Sequence, residues 1–423
     1  MTDPRVNPIA QTEHIGRMSH MRLLCPVCQS EVAVDSFVYR CDKCDEALEL
    51  RHDLENLQGR ISLRAFERRP WNLWRYSELL PITGPARISL QEGGTPLHQG
   101  KKLGEKLGLD HLYLKDETRN PTGSFKDRGS SVGISKAVEL KARAVGCVST
   151  GNMAASMAAY AARAGLRNFV LIPTGTPVEK MVQTMICGSM LIAVKGEYPE
   201  TYRMGLEASV RHRIYMVHSD APFRVEGQKT VAYEICEQLG WSVPDFVLVP
   251  TSSGGNISSL WKGFREMHRL GVVDSLPSMI CVQSEGCSPI VTAFKSGKDI
   301  VQPFSKSDTL AQSISNPDPP SGKRVLRLLR DSKGFALSVT DQEVLEAQRL
   351  VARTEGLFVE PASASAIAAL VKSSRTGMVD DSDRIVCVLT GSGLKDVRSA
   401  TRLLAKPLKI SSPRDLDRIL GQM

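Results

Sequence analysis

The chain has 423 residues, 42% of them hydrophobic and 24% charged, with Lys+Arg 54 against Asp+Glu 46 and a net charge of +8, a balance that supports a large core in two or three domains and excludes a disordered or fibrous chain. The basic residues are scattered and aromatic residues reach only 5%, so the excess charge suits small anionic ligands better than nucleic acid, which calls for a concentrated basic face with stacking platforms. No apolar run reaches the roughly 18 residues of a membrane-spanning helix, and the N-terminal stretch with Asp3, Arg5 and Glu13 lacks a signal-peptide core; a cytoplasmic protein without membrane or nucleic-acid partners is expected.

Residues 1–20 read as a short disordered tail. Two Cys-x-x-Cys knuckles follow, Cys25-Pro26-Val27-Cys28 and Cys41-Asp42-Lys43-Cys44, separated by twelve residues that include a predicted short strand, Ser36 to Arg40. Four thiolates about 2.3 Å from one Zn²⁺ close a tetrahedral site with no position left for substrate, so the metal would supply folding energy rather than catalysis. Two disulfides are the alternative, disfavoured in a reducing compartment. A small zinc ribbon with four cysteine ligands is therefore expected over residues 21–50. The other cysteines, Cys147, Cys187, Cys236, Cys281, Cys287 and Cys387, lie singly in apolar segments and read as buried packing residues. Trp71, Trp74 and Tyr76 read as packing or subunit contacts.

From Leu97 onward short apolar runs alternate with helical patterns, the mark of βαβ units and a parallel sheet covered on both faces. Strands are predicted at Ala144 to Ser149, Phe169 to Pro173, Leu191 to Val194, Phe246 to Pro250, Met279 to Val282 and Ile385 to Leu389. Ligands of such sheets collect at the carboxyl ends of strands, where helix N-termini point. Lys126 stands in the turn Pro121-Thr122-Gly123-Ser124-Phe125-Lys126-Asp127-Arg128-Gly129, ahead of a helical pattern expected from near Ser130. A lysine at a helix N-terminus feels the positive end of the dipole, and partial burial also disfavours its ammonium form, so both effects favour a nucleophilic amine. Asn152 follows a predicted strand in Ser149-Thr150-Gly151-Asn152, where it could equally be an N-cap. Thr251-Ser252-Ser253-Gly254-Gly255-Asn256 lies between a strand and a helix beginning near Ile257, so its successive N–H groups can cradle a single phosphate; without the lysine of a P-loop, a nucleoside triphosphate is not indicated. Thr390-Gly391-Ser392-Gly393 places a hydroxyl at the end of the last strand.

The chain resembles the threonine synthases, members of the pyridoxal-phosphate fold type that also includes the tryptophan synthase β chain, cysteine synthase and threonine dehydratase. The matching segments are Gly94-Thr95-Pro96-Leu97, Leu114-Lys115-Asp116-Glu117-Thr118, Ser124 to Gly129, Ser149 to Asn152, Phe223-Arg224-Val225-Glu226-Gly227-Gln228-Lys229-Thr230, Glu360-Pro361-Ala362-Ser363-Ala364 and Leu389 to Asp396, spread over about residues 22 to 405. The resemblance implies a two-lobed fold type II enzyme of the α/β class with parallel-rich sheets, in which 51–123 and 236–405 form a large lobe, 124–235 a small lobe and 406–423 a C-terminal tail with no amino-acid-sensing domain. It makes Lys126 the Schiff-base lysine, Asn152 the partner of the cofactor's phenolic oxygen and Thr390 the hydroxyl facing the pyridine nitrogen. Ser252, Ser253, Gly254, Gly255 and Asn256 become the phosphate cradle. Ser219 and Arg224 match a clamp for the substrate phosphate. A homodimer acting on a phosphorylated amino acid, O-phospho-L-homoserine, is implied.

Four positions depart from the family pattern. Met153 stands where Thr is usual, His218 where Asn is usual, Ser252 to Asn256 reads Ser-Ser-Gly-Gly-Asn instead of Gly-Asn-Ala-Gly-Asn, and Ser392 lies between Gly391 and Gly393 where Asn or His is common. Met153 cannot donate a hydrogen bond to phosphate, whereas His218 offers a donor that titrates near neutrality. These departures gather on the leaving-group side, so a dehydratase or β-replacement enzyme acting on serine, threonine or a phosphorylated relative remains the second reading.

Overall fold

A computed structural model describes residues 21–401 and 412–420, apart from positions 60, 83, 177, 179–180, 196–197 and 220. The predicted tail 1–20 and, from 406–423, residues 406–411 and 421–423 lie outside the described residues. The described strands, numbered in chain order, are β1 (Met21–Leu24), β2 (Glu31–Val32), β3 (Glu49–His52), β4 (Leu97–Gln99), β5 (Leu112–Asp116), β6 (Ala144–Val148), β7 (Arg167–Pro173), β8 (Met190–Val194), β9 (Tyr215–Met216), β10 (Phe246–Pro250), β11 (Ser278–Ser284), β12 (Phe335–Val339) and β13 (Ile385–Leu389). All six strands predicted from Ala144 onward are present at these positions.

Ile385-Val386-Cys387-Val388-Leu389 forms a strand because β-branched and aliphatic residues fit a pleated surface buried on both sides. Successive side chains point to opposite faces. Val386 and Val388 join one hydrophobic cluster with Val247, Val249, Met279 and Cys281. Ile385, Cys387 and Leu389 join another with Leu248, Ile280 and Val282. Each such fully buried aliphatic side chain contributes about 1.5–3 kcal/mol by leaving water. The sheet runs β12-β11-β10-β13-β5-β4, parallel throughout except for β4, which lies antiparallel on β5.

A second sheet runs β8-β7-β6-β9 and is wholly parallel. Its core, including Val145, Cys147 and Val170, continues into Leu23, Cys25, Leu48 and Leu50 of the N-terminal module. That module is an antiparallel sheet in the order β2-β1-β3. The predicted strand Ser36 to Arg40 is absent: only Arg40 makes a single bridge, to Ala47. The aromatic residues there dock sideways instead. Phe37 and Tyr39 pack edge-on against Tyr215, and the Tyr39 hydroxyl accepts the Met216 N–H at 2.8 Å. Burial against the neighbouring sheet outweighs ladder pairing.

Four of the helices that matter for function start at strand ends or beside them: α1 (Lys126–Glu139), α2 (Asn152–Ala164), α3 (Pro222–Gln228) and α4 (Gly255–Arg269). Helices α5 (Gly322–Asp331) and α6 (Pro361–Arg375) follow. Helix α1 begins at Lys126, earlier than the expected Ser130. Asp127 in its first turn is the reason, since its carboxylate accepts the Thr122 N–H at 2.6 Å and the hydroxyls of Thr122 and Ser156 at 2.5 and 2.6 Å. Those bonds close the preceding turn, and a carboxylate there complements the helix dipole. Of the six single cysteines all are buried except Cys187, which is half-buried beyond a short helix. Among the described residues no helix is long and apolar enough to cross a membrane.

Candidate active site

A cavity of about 60 Å³ opens between the two larger sheets at the carboxyl ends of β10 and β13, and Lys126, Asn152, Ser219, Arg224, Ser252 to Asn256 and Thr390 all line it. The chain brings them there through strand-to-helix turns. Strand β6 runs through Ser149 to Gly151 into α2, whose first residue is Asn152. Strand β10 runs through Ser252 to Gly254 into α4, and Gly254 sits at φ +94, a left-handed conformation that glycine adopts at no steric cost. The first N–H groups of α4 have no intrahelical acceptor, and both polar side-chain atoms of Asn256 are buried without a hydrogen-bond partner. Donors gathered at one point in this way are what a phosphate group satisfies.

Lys126 is fixed by stapling its loop to the last strand. Ser124 bridges Gly391, Phe125 N–H donates to the Thr390 carbonyl at 3.1 Å, and Ser392 N–H donates to the Gly123 carbonyl at 2.9 Å. The Lys126 amine lies 4.3 Å from the centroid of the Phe125 ring. Burial, reinforced by the Arg224 guanidinium, lowers the amine's pKa from 10.5 to about 7, against an opposing pull from the Glu360 carboxylate. A buried lysine beside another cation is a free-base nucleophile near neutrality.

Arg224 reaches the cleft because α1 and α3 pack unusually closely. A Cβ on Gly129 would meet Arg224 Cγ at 2.5 Å, and one on Gly227 would meet the Arg128 carbonyl oxygen at 2.0 Å. Along α3, Arg224 and Gln228 face the cleft, while Glu226 turns away to pair with His52 at 2.8 Å. Lys229, just beyond the helix, pairs with Glu226 at 2.5 Å and Glu266 at 2.8 Å.

Three of the residues singled out by sequence, His218, Met153 and Ser392, do not line the cavity. His218 is buried, with Nδ1 2.9 Å from the Tyr202 hydroxyl and its ring 4.6 Å from that of Tyr39. Met153 is packed in the core of the smaller parallel sheet. Ser253 does line the cleft, its hydroxyl accepting the Asn316 amide at 2.7 Å.

Three polar lining residues escaped the sequence reading. Glu360 accepts from Asn152 Nδ2 at 2.9 and 3.0 Å and from the Ser313 hydroxyl at 3.0 Å; burial raises its pKa. Its signal was available, a carboxylate before Pro361 at the start of a helix. Gln228 also sat in a quoted motif. Ser313 sits in a short 3₁₀ turn, Gln312–Ile314, in a polar stretch that carries no motif. Conversely, Thr95, Lys115, Glu117 and Arg128 form a buried polar network outside the cavity lining. Arg128 donates to Glu117 at 2.7 Å and to Glu234 at 2.6 and 2.8 Å, and Lys115 donates to Glu234 at 2.7 Å. Although burial opposes ionisation of Glu234, the Arg128 and Lys115 cations hold its carboxyl well below the usual carboxylate range, so the network is paired and satisfied.

In the N-terminal module the four sulfur atoms of Cys25, Cys28, Cys41 and Cys44 lie within 4.8 Å of one another. Cys25 and Cys44 are 3.3 Å apart, Cys28 and Cys41 3.5 Å, and Cys28 and Cys44 3.9 Å. Sulfurs tetrahedrally bound at about 2.3 Å stand roughly 3.8 Å apart, far from the roughly 2.05 Å of a disulfide.

The pyridoxal-phosphate dependent enzyme family matches residues 88–391. The chain is 45% identical over 403 residues to the threonine synthase of Methanocaldococcus jannaschii, covering 94% of this chain and 99% of that one. It is 39% identical to the threonine synthase of Methanosarcina acetivorans over 94% and 97% of the two chains, and 40% identical to that of Mycobacterium tuberculosis over 79% and 91%. Among solved structures, maize serine racemase superposes with a TM-score of 0.63 at 21% identity over 73% of this chain and 91% of that one. A fungal L-serine ammonia-lyase from Rhizomucor miehei gives 0.63 at 19% over 73% and 96%; both likenesses show the fold, of type II. A lysine whose pKa burial lowers toward neutrality, a glycine turn with unsatisfied donors and near full-length identity of this degree converge: the chain belongs to the pyridoxal-phosphate-dependent enzymes and, within them, to the threonine synthase family.

Proposed function

We propose that this protein is a threonine synthase, a lyase that converts O-phospho-L-homoserine and water to L-threonine and phosphate. The observation that carries the reading is the 45% identity, over nearly the whole of both chains, to a protein of that name. When bound, pyridoxal phosphate supplies an electron sink that makes the protons on Cα and Cβ of an amino acid removable. Lys126, the buried amine of the cleft, would be the residue to which its aldehyde attaches. The N–H groups of Ser252 to Asn256 would hold its phosphate, Asn152 would partner its phenolic oxygen, and Thr390 would offer its ring nitrogen a hydroxyl, which does not keep that nitrogen protonated.

The freed Lys126 amine takes the substrate's Cα proton and then a Cβ proton; phosphate leaves Cγ. Water adds its oxygen to Cβ, and protons return to Cγ and Cα. An amine with a pKa of about 7 suits these alternating acid and base roles near neutrality. Arg224, with Ser219, grips the leaving phosphate, where a guanidinium fork matches phosphate oxygens. The placement of His218 against Tyr202 and Tyr39 supports a positioning role for it more than direct contact with substrate. In this reading 51–123 with 236–405, and 124–235, are the two lobes. Cys25, Cys28, Cys41 and Cys44 hold a structural Zn²⁺, a reading supported by sulfur spacings suited to one tetrahedral ion.

The decisive assay incubates the cofactor-loaded protein with O-phosphohomoserine and, separately, with threonine and O-phosphoserine, measuring phosphate, threonine and keto acid. Threonine plus phosphate from the first alone is the expected result. Keto acid from threonine with no turnover of O-phosphohomoserine overturns it. A Lys126→Ala variant should lose activity by about 10²–10⁴-fold or more.

A further inference from the structure

A second and larger cavity, about 350 Å³, lies away from the cleft, between the four-cysteine module and the outer faces of α4 and α5. Its volume falls within the range of small-molecule sites, roughly 300–1,000 Å³, but such sites are mostly apolar. Here Arg51, Lys262, Arg265, Arg269, Arg324 and Arg327 contribute to the wall, against the carboxylates of Glu49, Glu266 and Asp331. Glu266 is already engaged from within by Lys229 at 2.8 Å and by the Tyr233 hydroxyl. Lys262 is committed to Glu226 and to the Leu50 carbonyl. What faces the cavity is an excess of arginine.

The carboxylates of Glu49 and Asp331 in the wall, and Glu46 beside Arg327, offset only part of this positive charge. Arg265 and Arg269 stand four residues apart on α4, and Arg324 and Arg327 three apart on α5, spacings at which like charges repel. Arg324 spends one nitrogen on the Ala47 carbonyl at 2.7 Å, and Arg327 one on Glu46 at 3.1 Å, which fixes both guanidinium groups. The Nε of each is nevertheless buried with no hydrogen-bond partner. Oriented arginine forks with donors unspent are matched by the oxygens of a phosphate or diphosphate.

We propose that this cavity binds a small phosphorylated anion, at a site separate from the one that holds cofactor and substrate. The cavity joins three elements: β3, with His52; α4, whose first residues form the cradle in the cleft; and α5. Bound anion would therefore hold the four-cysteine module against the helix that begins at the active site.

The test uses the cofactor-loaded, full-length protein and inorganic pyrophosphate as probe, titrated calorimetrically at fixed ionic strength against a chloride control. Wild-type protein is expected to bind pyrophosphate and to gain thermal stability, and R265Q/R269Q to bind it at least tenfold more weakly. Both substitutions are on exposed positions of α4 remote from the cleft, so basal turnover should be unchanged. An independent R51E variant should weaken binding in the same direction. Absence of pyrophosphate binding to wild-type protein overturns the proposal. So does equal affinity in R265Q/R269Q, which would place the anion in the cleft. The readout is binding alone and holds whichever reaction the cleft performs.

Discussion

Amine-selective labelling of the cofactor-free protein, followed by mass spectrometry across a pH series, should place the ionisation of Lys126 near 7 rather than near 10.5. With a pKa of about 7, half of the Lys126 amine is free base at pH 7, whereas an ordinary lysine would be free in roughly one molecule in three thousand. Labelling at pH 7 should thus exceed that of exposed lysines by two to three orders of magnitude per accessible site, less the lower intrinsic reactivity of a weaker base. The causes can be separated by sign. Burial and the Arg224 guanidinium lower the value, while the Glu360 carboxylate raises it. Arg224→Leu should therefore shift the inflection upward, and Glu360→Gln should shift it downward. A wild-type inflection at pH 10 or above, or movement of both variants in one direction, would refute the electrostatic account of the nucleophile.

Other consequences are open to direct measurement. In Gly254→Ala the new Cβ would sit at φ +94 and within 2.7 Å of Val325 Cγ2; backbone strain of about 1–3 kcal/mol should raise the dissociation constant for the cofactor by roughly 5- to 150-fold, read by equilibrium titration. Arg128→Met would leave Glu117 and Glu234 buried without their principal partner, a loss of about 3–5 kcal/mol; a urea midpoint unchanged from wild type would contradict it. Metal analysis should find one zinc per chain, and Cys28→Ser should release it and loosen the Tyr39 contact with Met216, visible as faster amide exchange at that residue.

The sequence by itself determined the parallel-rich α/β architecture, because strands buried on both faces must be continuous apolar runs, and Ile385 to Leu389 or Phe246 to Pro250 can be little else. It also singled out Lys126, Asn152, the Ser252 to Asn256 glycine turn and Thr390 as polar groups at strand or helix ends, whereas the roles expected of them came from the resemblance to the threonine synthases and not from local residue type. The short aromatic stretch Ser36 to Arg40 misled, since local β-propensity was overruled by burial of Phe37 and Tyr39 on the neighbouring sheet, a contact with residues far along the chain. Tertiary structure alone decided which motif residues face the cleft. Helical periodicity sends Arg224 and Gln228 inward and Glu226 outward, and packing across α1 and α3 depends on Gly129 and Gly227 together. It alone also brought Glu360 onto Asn152 and gathered arginines from β3, α4 and α5 around one cavity. Charges so distant in sequence leave no local pattern to read, because their spacing is set by how whole elements pack and not by the chain between them.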